Sequence, residues 1–228
     1  DTKPYFHQFL RWDRLQEVKQ YFASSTLAFI EMGSVLVVLT GIALTGAAII
    51  LILAPLAWLN WPPGRRLAIL CYFASIGLGF MFLEILWIQH FTLFWGHSLY
   101  SAAGVVAALL CGMGAGSILS IRLRTSHKTV TLILGSIVIM IILSLFLAPI
   151  FFTAGLVWPE SLKWISGLML LTFPAFFLGM PFPLALRVLN QAYPQQVPWA
   201  WGINGCFSVI AAPLAVFLVM QGGFHMVG

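Results

Sequence analysis

The sequence contains very little charge: only 7% of its 228 residues are Asp, Glu, Lys or Arg, and 61% are hydrophobic. Soluble domains carry about 25% charged residues and disordered chains are still more polar, so this composition excludes both classes. The three cysteines lie inside apolar runs without CxxC spacing, which argues against disulfides, zinc sites and covalently attached haem. The class that remains is a polytopic membrane protein.

The few charges are mostly positive, with a net charge of +5 at pH 7. Outside the first 20 residues the Lys and Arg side chains mostly flank apolar runs, where they contact lipid headgroups. The predicted partners are therefore the lipid bilayer and other membrane or peripheral protein subunits, and not nucleic acid. No cofactor, metal site or catalytic residue is predicted, because the sequence has no phosphate loop, metal-ligand cluster or catalytic triad.

Six apolar runs reach the length of about 20 residues that a helix needs to cross a bilayer. They are residues 26–59, 67–95, 99–121, 130–157, 164–189 and 199–222. In lipid, the backbone N–H and C=O groups of an open strand would lack hydrogen-bond partners. We therefore expect an all-α polytopic bundle of about six transmembrane helices.

The residues before the first apolar run form a segment of a different kind. Residues 1–25 mix aromatic and charged side chains, which predicts an amphipathic interfacial lead-in to the six-helix domain of residues 26–228. The alternative is the end of an upstream soluble domain. The chain starts at Asp1 without a signal-peptide pattern, so we expect that a segment was removed or that the numbering begins inside a longer chain.

The basic residues of the short loops predict the orientation of the bundle. Loops one, three and five carry six of them, whereas the opposite loops carry only Lys163. This distribution predicts that loops one, three and five lie in the cytoplasm and that both termini lie outside. The six residues are Arg65, Arg66, Arg122, Arg124, Lys128 and Arg187.

Ionisable and polar groups inside membrane spans are costly, so each is a candidate for function. Glu84 lies in the middle of the second span, and it is either a proton, cation or quinone-type site or an interhelical hydrogen-bonding group. His90 and His97 are seven residues apart and would share a helix face, either as interfacial hydrogen-bonding groups or beside a haem. The candidate ligand or proton site comprises Glu84, Gln89, His90, His97, Ser98, Arg187 and Asn204.

Small residues recur every fourth position in two spans, which favours close helix packing. The third span carries such a ridge, and the last span repeats the spacing around Asn204. The predicted packing residues are Gly104, Ala108, Gly112, Gly116, Ala200 and Ser208, with Ser120 and Ala212 continuing the two series.

Three prolines interrupt the fifth span, at Pro174, Pro181 and Pro183. Each removes a backbone donor and frees a carbonyl, so the helix must kink or break there. In transporters, broken helices bind substrate. Elsewhere they are passive kinks, and neighbouring groups form hydrogen bonds to the freed backbone carbonyls.

Four stretches, in this order along the chain, resemble the membrane region of bacterial spermidine synthase-like multi-pass proteins. They are DTKPYFHQFLRW at residues 1–12, GFMFLE at 79–84 followed by GHS at 96–98, GMPFPLALR at 179–187 and WAWGING at 199–205. The resemblance implies a multi-pass protein of the bacterial plasma membrane whose soluble aminopropyltransferase-like domain precedes these segments. That domain is not in this sequence, so no catalytic residue carries over. The cofactor of that soluble domain implies that the N-terminus lies in the cytoplasm. The basic residues of the loops predict the opposite orientation, with the N-terminus outside.

Three functions follow as hypotheses. The first is a non-catalytic anchor or scaffold of a spermidine synthase-like protein that packs against an adjoining domain or partner subunits. The second is a transporter or small-ligand-binding protein that uses Glu84 and the proline-broken fifth span, with a small amine or lipid as cargo. The third is an integral subunit of an electron-transfer complex, with His90 and His97 near a quinone or haem.

Overall fold

The computed structural model of the chain describes residues 39–50, 66–123 and 126–222. Every regular element in these three stretches is helical, and no strand occurs in them. The helices are α1 (Leu39–Ala48), α2 (Arg66–Trp95), α3 (Ser98–Arg122), α4 (His127–Gly155), α5 (Glu160–Leu178), α6 (Pro181–Ala192) and α7 (Val197–Gly222), with a 3-10 turn at Pro194–Gln196.

Four of the described segments are long and apolar enough to cross a membrane: α2, α3, α5 with α6, and the 3-10 turn with most of α7. Helix α4 is a fifth if its two halves, Lys128–Ser144 and Phe146–Gly155, form one span despite a bend of 43°. Pro149 lies inside α4, and its ring clashes with the carbonyl one turn earlier, which accounts for a bend at this place. The prediction of an all-α, multi-pass membrane protein is therefore confirmed for the described residues.

The first predicted span and the amphipathic segment fall largely outside these stretches. Residues 1–25 lie wholly outside them, and of the predicted span 26–59 only residues 39–50 are described, as α1 and the two residues that follow it. The count of six spans therefore stays a prediction.

Helices that are distant in sequence make the most extensive contacts: α2 packs mainly against α7, and α3 against α5. Helices α2 and α7 run in parallel, since Phe73 packs in one cluster with Ala200 and Gly77, one turn further on, faces Asn204. Helix α3 runs antiparallel to α2, because Ser101 near its start bonds the carbonyl of Phe91 near the end of α2. The bundle therefore has two ends with different chemistry.

One end, here called the aromatic end, holds Trp95, Trp158 and Trp164 with the surrounding phenylalanines. The other, here called the basic end, carries Arg66, Arg122 and Lys128 at the start of α2, the end of α3 and the start of α4. The largest core cluster joins α2, α3 and α5 toward the aromatic end, and a second cluster joins α2, α6 and α7 toward the basic end.

Large apolar side chains cover the outer faces of the bundle. Leu132 and Phe146 of α4 are each 73% exposed, and Ile118 of α3 is 66% exposed. A soluble protein rarely exposes so much contiguous apolar surface, whereas lipid solvates it without cost. These faces are therefore the lipid-facing surface of the bundle.

Candidate functional site

Glu84 lies on the packed face of α2. Gly77 and Phe91, seven residues to either side of it, are both buried, so Glu84 shares their side of the helix. The carboxyl group is half-buried, and no hydrogen bond or ion pair joins it to another described residue. Glu84 and Glu160 are the only acidic residues in the described stretches, and Glu160 lies in the first turn of α5 at the aromatic end.

His90 is tied to its own helix. Its Nδ1 lies 2.9 Å from the carbonyl oxygen of Leu86, so this nitrogen carries the proton and donates it. The ring stacks on Phe152 of α4 with the centroids 5.8 Å apart and the planes inclined by 20°. Gln89, the residue before it, is half-buried on α2.

His97 does not continue the helix that carries His90. Helix α2 ends at Trp95, and Gly96 follows with φ of +77°, a left-handed conformation that glycine adopts without the penalty of a Cβ. His97 is exposed just before α3, with its ring edge-on to Tyr100, and Ser98 is the first residue of α3. We expected His90 and His97 to share a helix face, which requires one continuous helix. The turn at Gly96 ends that helix before His97, so the expected shared face does not form.

The aromatic end is held by a stacked tryptophan pair. The rings of Trp95 and Trp164 lie 4.0 Å apart at an angle of 14°, and the indole Nε1 of Trp95 donates to the carbonyl of Lys163 at 3.1 Å. Gly104 of the α3 ridge receives this pair, because a Cβ there would lie 3.1 Å from both rings. The absence of a side chain at this position therefore makes room for the stack.

The rest of the α3 ridge faces α5. A Cβ on Gly112 would lie 2.6 Å from the carbonyl oxygen of Thr172 and 2.7 Å from the Cβ of Ala175, and one on Gly116 would overlap the carbonyl of Phe176. Ala108 is buried in the same core. The ridge is therefore occupied by a helix of the same chain, which leaves it closed to partner subunits.

The small residues of α7 meet α2. Ala200 is fully buried, and a Cβ on Gly77 would overlap the backbone carbonyl of Asn204. The Ser208 hydroxyl donates to the carbonyls of Asn204 at 2.9 Å and Gly77 at 3.3 Å. The side-chain oxygen of Asn204 is buried and accepts no hydrogen bond from the described residues.

The proline-rich span is broken between α5 and α6, at Gly179 and Met180. The Tyr72 hydroxyl donates to the carbonyl of Pro181 at 3.1 Å, so a side chain of α2 satisfies a backbone group at the start of α6. Gly179 faces the backbone of Met113, with no room for a Cβ. The sequence interpretation did not single out Tyr72, although a tyrosine inside an apolar span was the available signal.

Arg187 of α6 binds the end of α3. Its guanidinium donates from Nη2 to the carbonyl of Ser120 at 2.9 Å and from Nη1 to that of Leu123 at 3.0 Å. These carbonyls belong to the last turn of α3 and the residue after it, and a cation also offsets the negative end of the helix dipole. The sequence led us to expect contact with lipid headgroups for Arg187, and instead it contacts this helix end.

A cavity of about 650 Å³ opens between the first turns of α2, the first turns of α4 and the length of α6. Its walls are mainly apolar, with the rings of Tyr72 and Tyr193 among them. The sequence pattern did not predict it, because a cavity depends on the separation of three helices that hydropathy does not specify.

Among the described residues, no three His, Cys, Asp or Glu side chains come close enough together to hold a metal ion. Cys71, Cys111 and Cys206 are free thiols. No family model, curated protein or solved structure matches this chain. Fold and composition thus define its class: a multi-pass helical membrane protein.

Proposed function

We propose that this chain is a non-catalytic anchor and scaffold of the bacterial inner membrane, the membrane domain of a spermidine synthase-like protein. The observation that supports this proposal is that polar side chains of the chain form hydrogen bonds between helices, here called interhelical braces. Arg187, Tyr72 and Ser208 each donate to a backbone carbonyl of another helix. Such bonds hold spans at fixed distances, as a support for an adjoining domain or partner subunits requires.

The small-residue ridges do not provide the partner surface that a scaffold needs, because they pack against helices of the same chain. Because the α3 ridge is occupied by α5, partners are not bound through that ridge. The exposed apolar faces of α3 and α4 are the available contact surfaces.

The test is to isolate the native polypeptide from its membrane after mild cross-linking and to measure its intact mass. We expect either a mass well above 25.2 kDa, from a covalently joined soluble domain, or a partner subunit in a constant ratio. The 228-residue chain alone should transfer no aminopropyl group from decarboxylated S-adenosylmethionine. A polypeptide of 25.2 kDa without cross-linked partners would contradict the scaffold function.

A second candidate function, transport of a small amine, rests on Glu84. This carboxyl group lies between two buried positions of α2 and has no partner among the described residues. In proteoliposomes, a pH-dependent amine flux should disappear in Glu84→Gln and persist in Glu160→Gln, which loses a carboxylate in the first turn of α5. Equal fluxes in these two variants and the wild type would exclude a transport role for Glu84.

A further inference from the structure

The cavity at the basic end is not used by either function above. It measures about 650 Å³, within the range of about 300–1,000 Å³ typical of ligand pockets. Ile69, Phe73, Leu134 and Leu184 contribute apolar walls from three different helices. Walls of this kind favour an apolar chain over a small hydrophilic ligand, since burying apolar surface is favourable and burying an unpaired polar group is costly.

Positive charges flank the same cavity. Arg66 precedes the lining residues Ile69 and Phe73 by three and seven positions, and Lys128 precedes the lining residue Thr131 by three, which are spacings that share a helix face. Both charged residues are exposed, and each lies within one helical turn of the cavity wall. The side of the cavity at the start of α2 and α4 is therefore basic.

Arg122 adds a third cation at this end. Leu123, the next residue, packs against the cluster of Ile133, Met180 and Leu184, of which Ile133 and Leu184 line the cavity. Of the two described acidic residues, Glu160 is at the aromatic end, and Glu84 lies about 27 Å along α2 from Arg66, at about 1.5 Å per residue. Among the described residues, the basic end therefore has an excess of positive charge, which is complementary to an anion.

We propose that the cavity binds an acyl chain of an anionic membrane phospholipid, whose headgroup lies at the basic end beside Lys128. The apolar walls hold the chain and the cations select the headgroup. Basic pockets between helices on the cytoplasmic side of membrane proteins recognise anionic lipids by this combination. Neutral phospholipid has the same chains but lacks the net charge, so it binds less tightly.

The experiment is native mass spectrometry of the full chain, equilibrated with micelles of equal amounts of phosphatidylglycerol and phosphatidylcholine. We expect one phosphatidylglycerol per chain to survive mild delipidation. Lys128→Gln should lower its retention relative to phosphatidylcholine about fivefold, the effect of one cation near an anionic headgroup. Lys163→Gln, which removes one cation at the aromatic end, should leave retention unchanged.

A second pair of variants tests the cavity itself. Ala185→Phe places a ring in the cavity and should abolish retention, whereas Ala107→Phe adds the same ring on an exposed position of α3 and should not. Thermal melting of each variant checks folding, and the Lys128→Gln result decides the case if Ala185→Phe melts early. Unchanged retention in Lys128→Gln or in a folded Ala185→Phe, or equal binding of the two lipids, would overturn the proposal.

Discussion

The contact between α3 and α5 predicts how the addition of a single methyl group to α3 changes the stability of the bundle. Gly112→Ala and Gly116→Ala each add one carbon where the neighbour is backbone: the Thr172 carbonyl in the first case and the Phe176 carbonyl in the second. A flexible side chain could move aside, but a helix backbone moves only if α5 moves as a whole. We therefore expect both variants to separate the two helices and to destabilise the bundle.

The magnitude follows from two opposing effects. Replacing a helical glycine by alanine gains up to about 1 kcal/mol of helix stability. Overpacking a filled contact costs about 1–3 kcal/mol, and Gly116→Ala should lie at the upper end because its Cβ would overlap the Phe176 carbonyl. Gly114 is the matched control: it lies between the two on α3, and a Cβ there meets nothing within 4 Å.

The assay is reversible unfolding in mixed micelles with increasing SDS, followed by tryptophan fluorescence. Relative to Gly114→Ala, we expect the free energy of unfolding to fall by about 1–3 kcal/mol for Gly112→Ala and by at least as much for Gly116→Ala. The bulkier Gly112→Leu should be worse still. Equal unfolding midpoints for all three alanine variants would refute the conclusion that α5 closes this ridge.

Three further substitutions test the interhelical braces by the same unfolding assay. Arg187→Gln should cost about 1.5–3 kcal/mol for each of the two charge-assisted bonds to the end of α3 that is lost; the exposed Arg122→Gln is its control, and equal losses would contradict a bracing role. Gly77→Ala should destabilise the α2–α7 contact while Gly79→Ala, with open space at its Cβ, does not, so a stable Gly77→Ala would count against that contact. Tyr72→Phe should cost about 0.5–1.5 kcal/mol by leaving the Pro181 carbonyl without its donor, and a wild-type midpoint would show that water replaces it.

Much of the fold could be predicted from hydropathy and from the positions of glycine and proline. The predicted spans 67–95 and 99–121 agree with α2 and α3 to within one residue at each end, because charged residues and Gly96 interrupt the apolar runs there. Pro181 and Pro183 likewise predicted the break between α5 and α6, whereas Pro174 lies inside α5. These features are local, so they can be read from neighbouring residues alone.

The pairing of helices could not be predicted in the same way. A four-residue glycine spacing indicates that α3 packs closely against something, but the spacing is the same whether the partner is α5 or another chain. Likewise, the sequence near Arg187 gives no sign of the Ser120 and Leu123 carbonyls, which precede it by more than 60 positions. The cavity at the basic end depends on three helices at once and was missed for the same reason.

The order of helix pairing has a consequence for biogenesis. A chain that enters the membrane span by span can dock α2 on α3 at once, but α3 meets α5 only after the intervening α4 has been inserted. Helix α2 must wait longer, since its main partner α7 is the last described helix to be synthesised. Until then the Gly77 side of α2 faces lipid or an insertion factor, so a ribosome that stalls before α7 leaves an incomplete bundle open to degradation by membrane proteases.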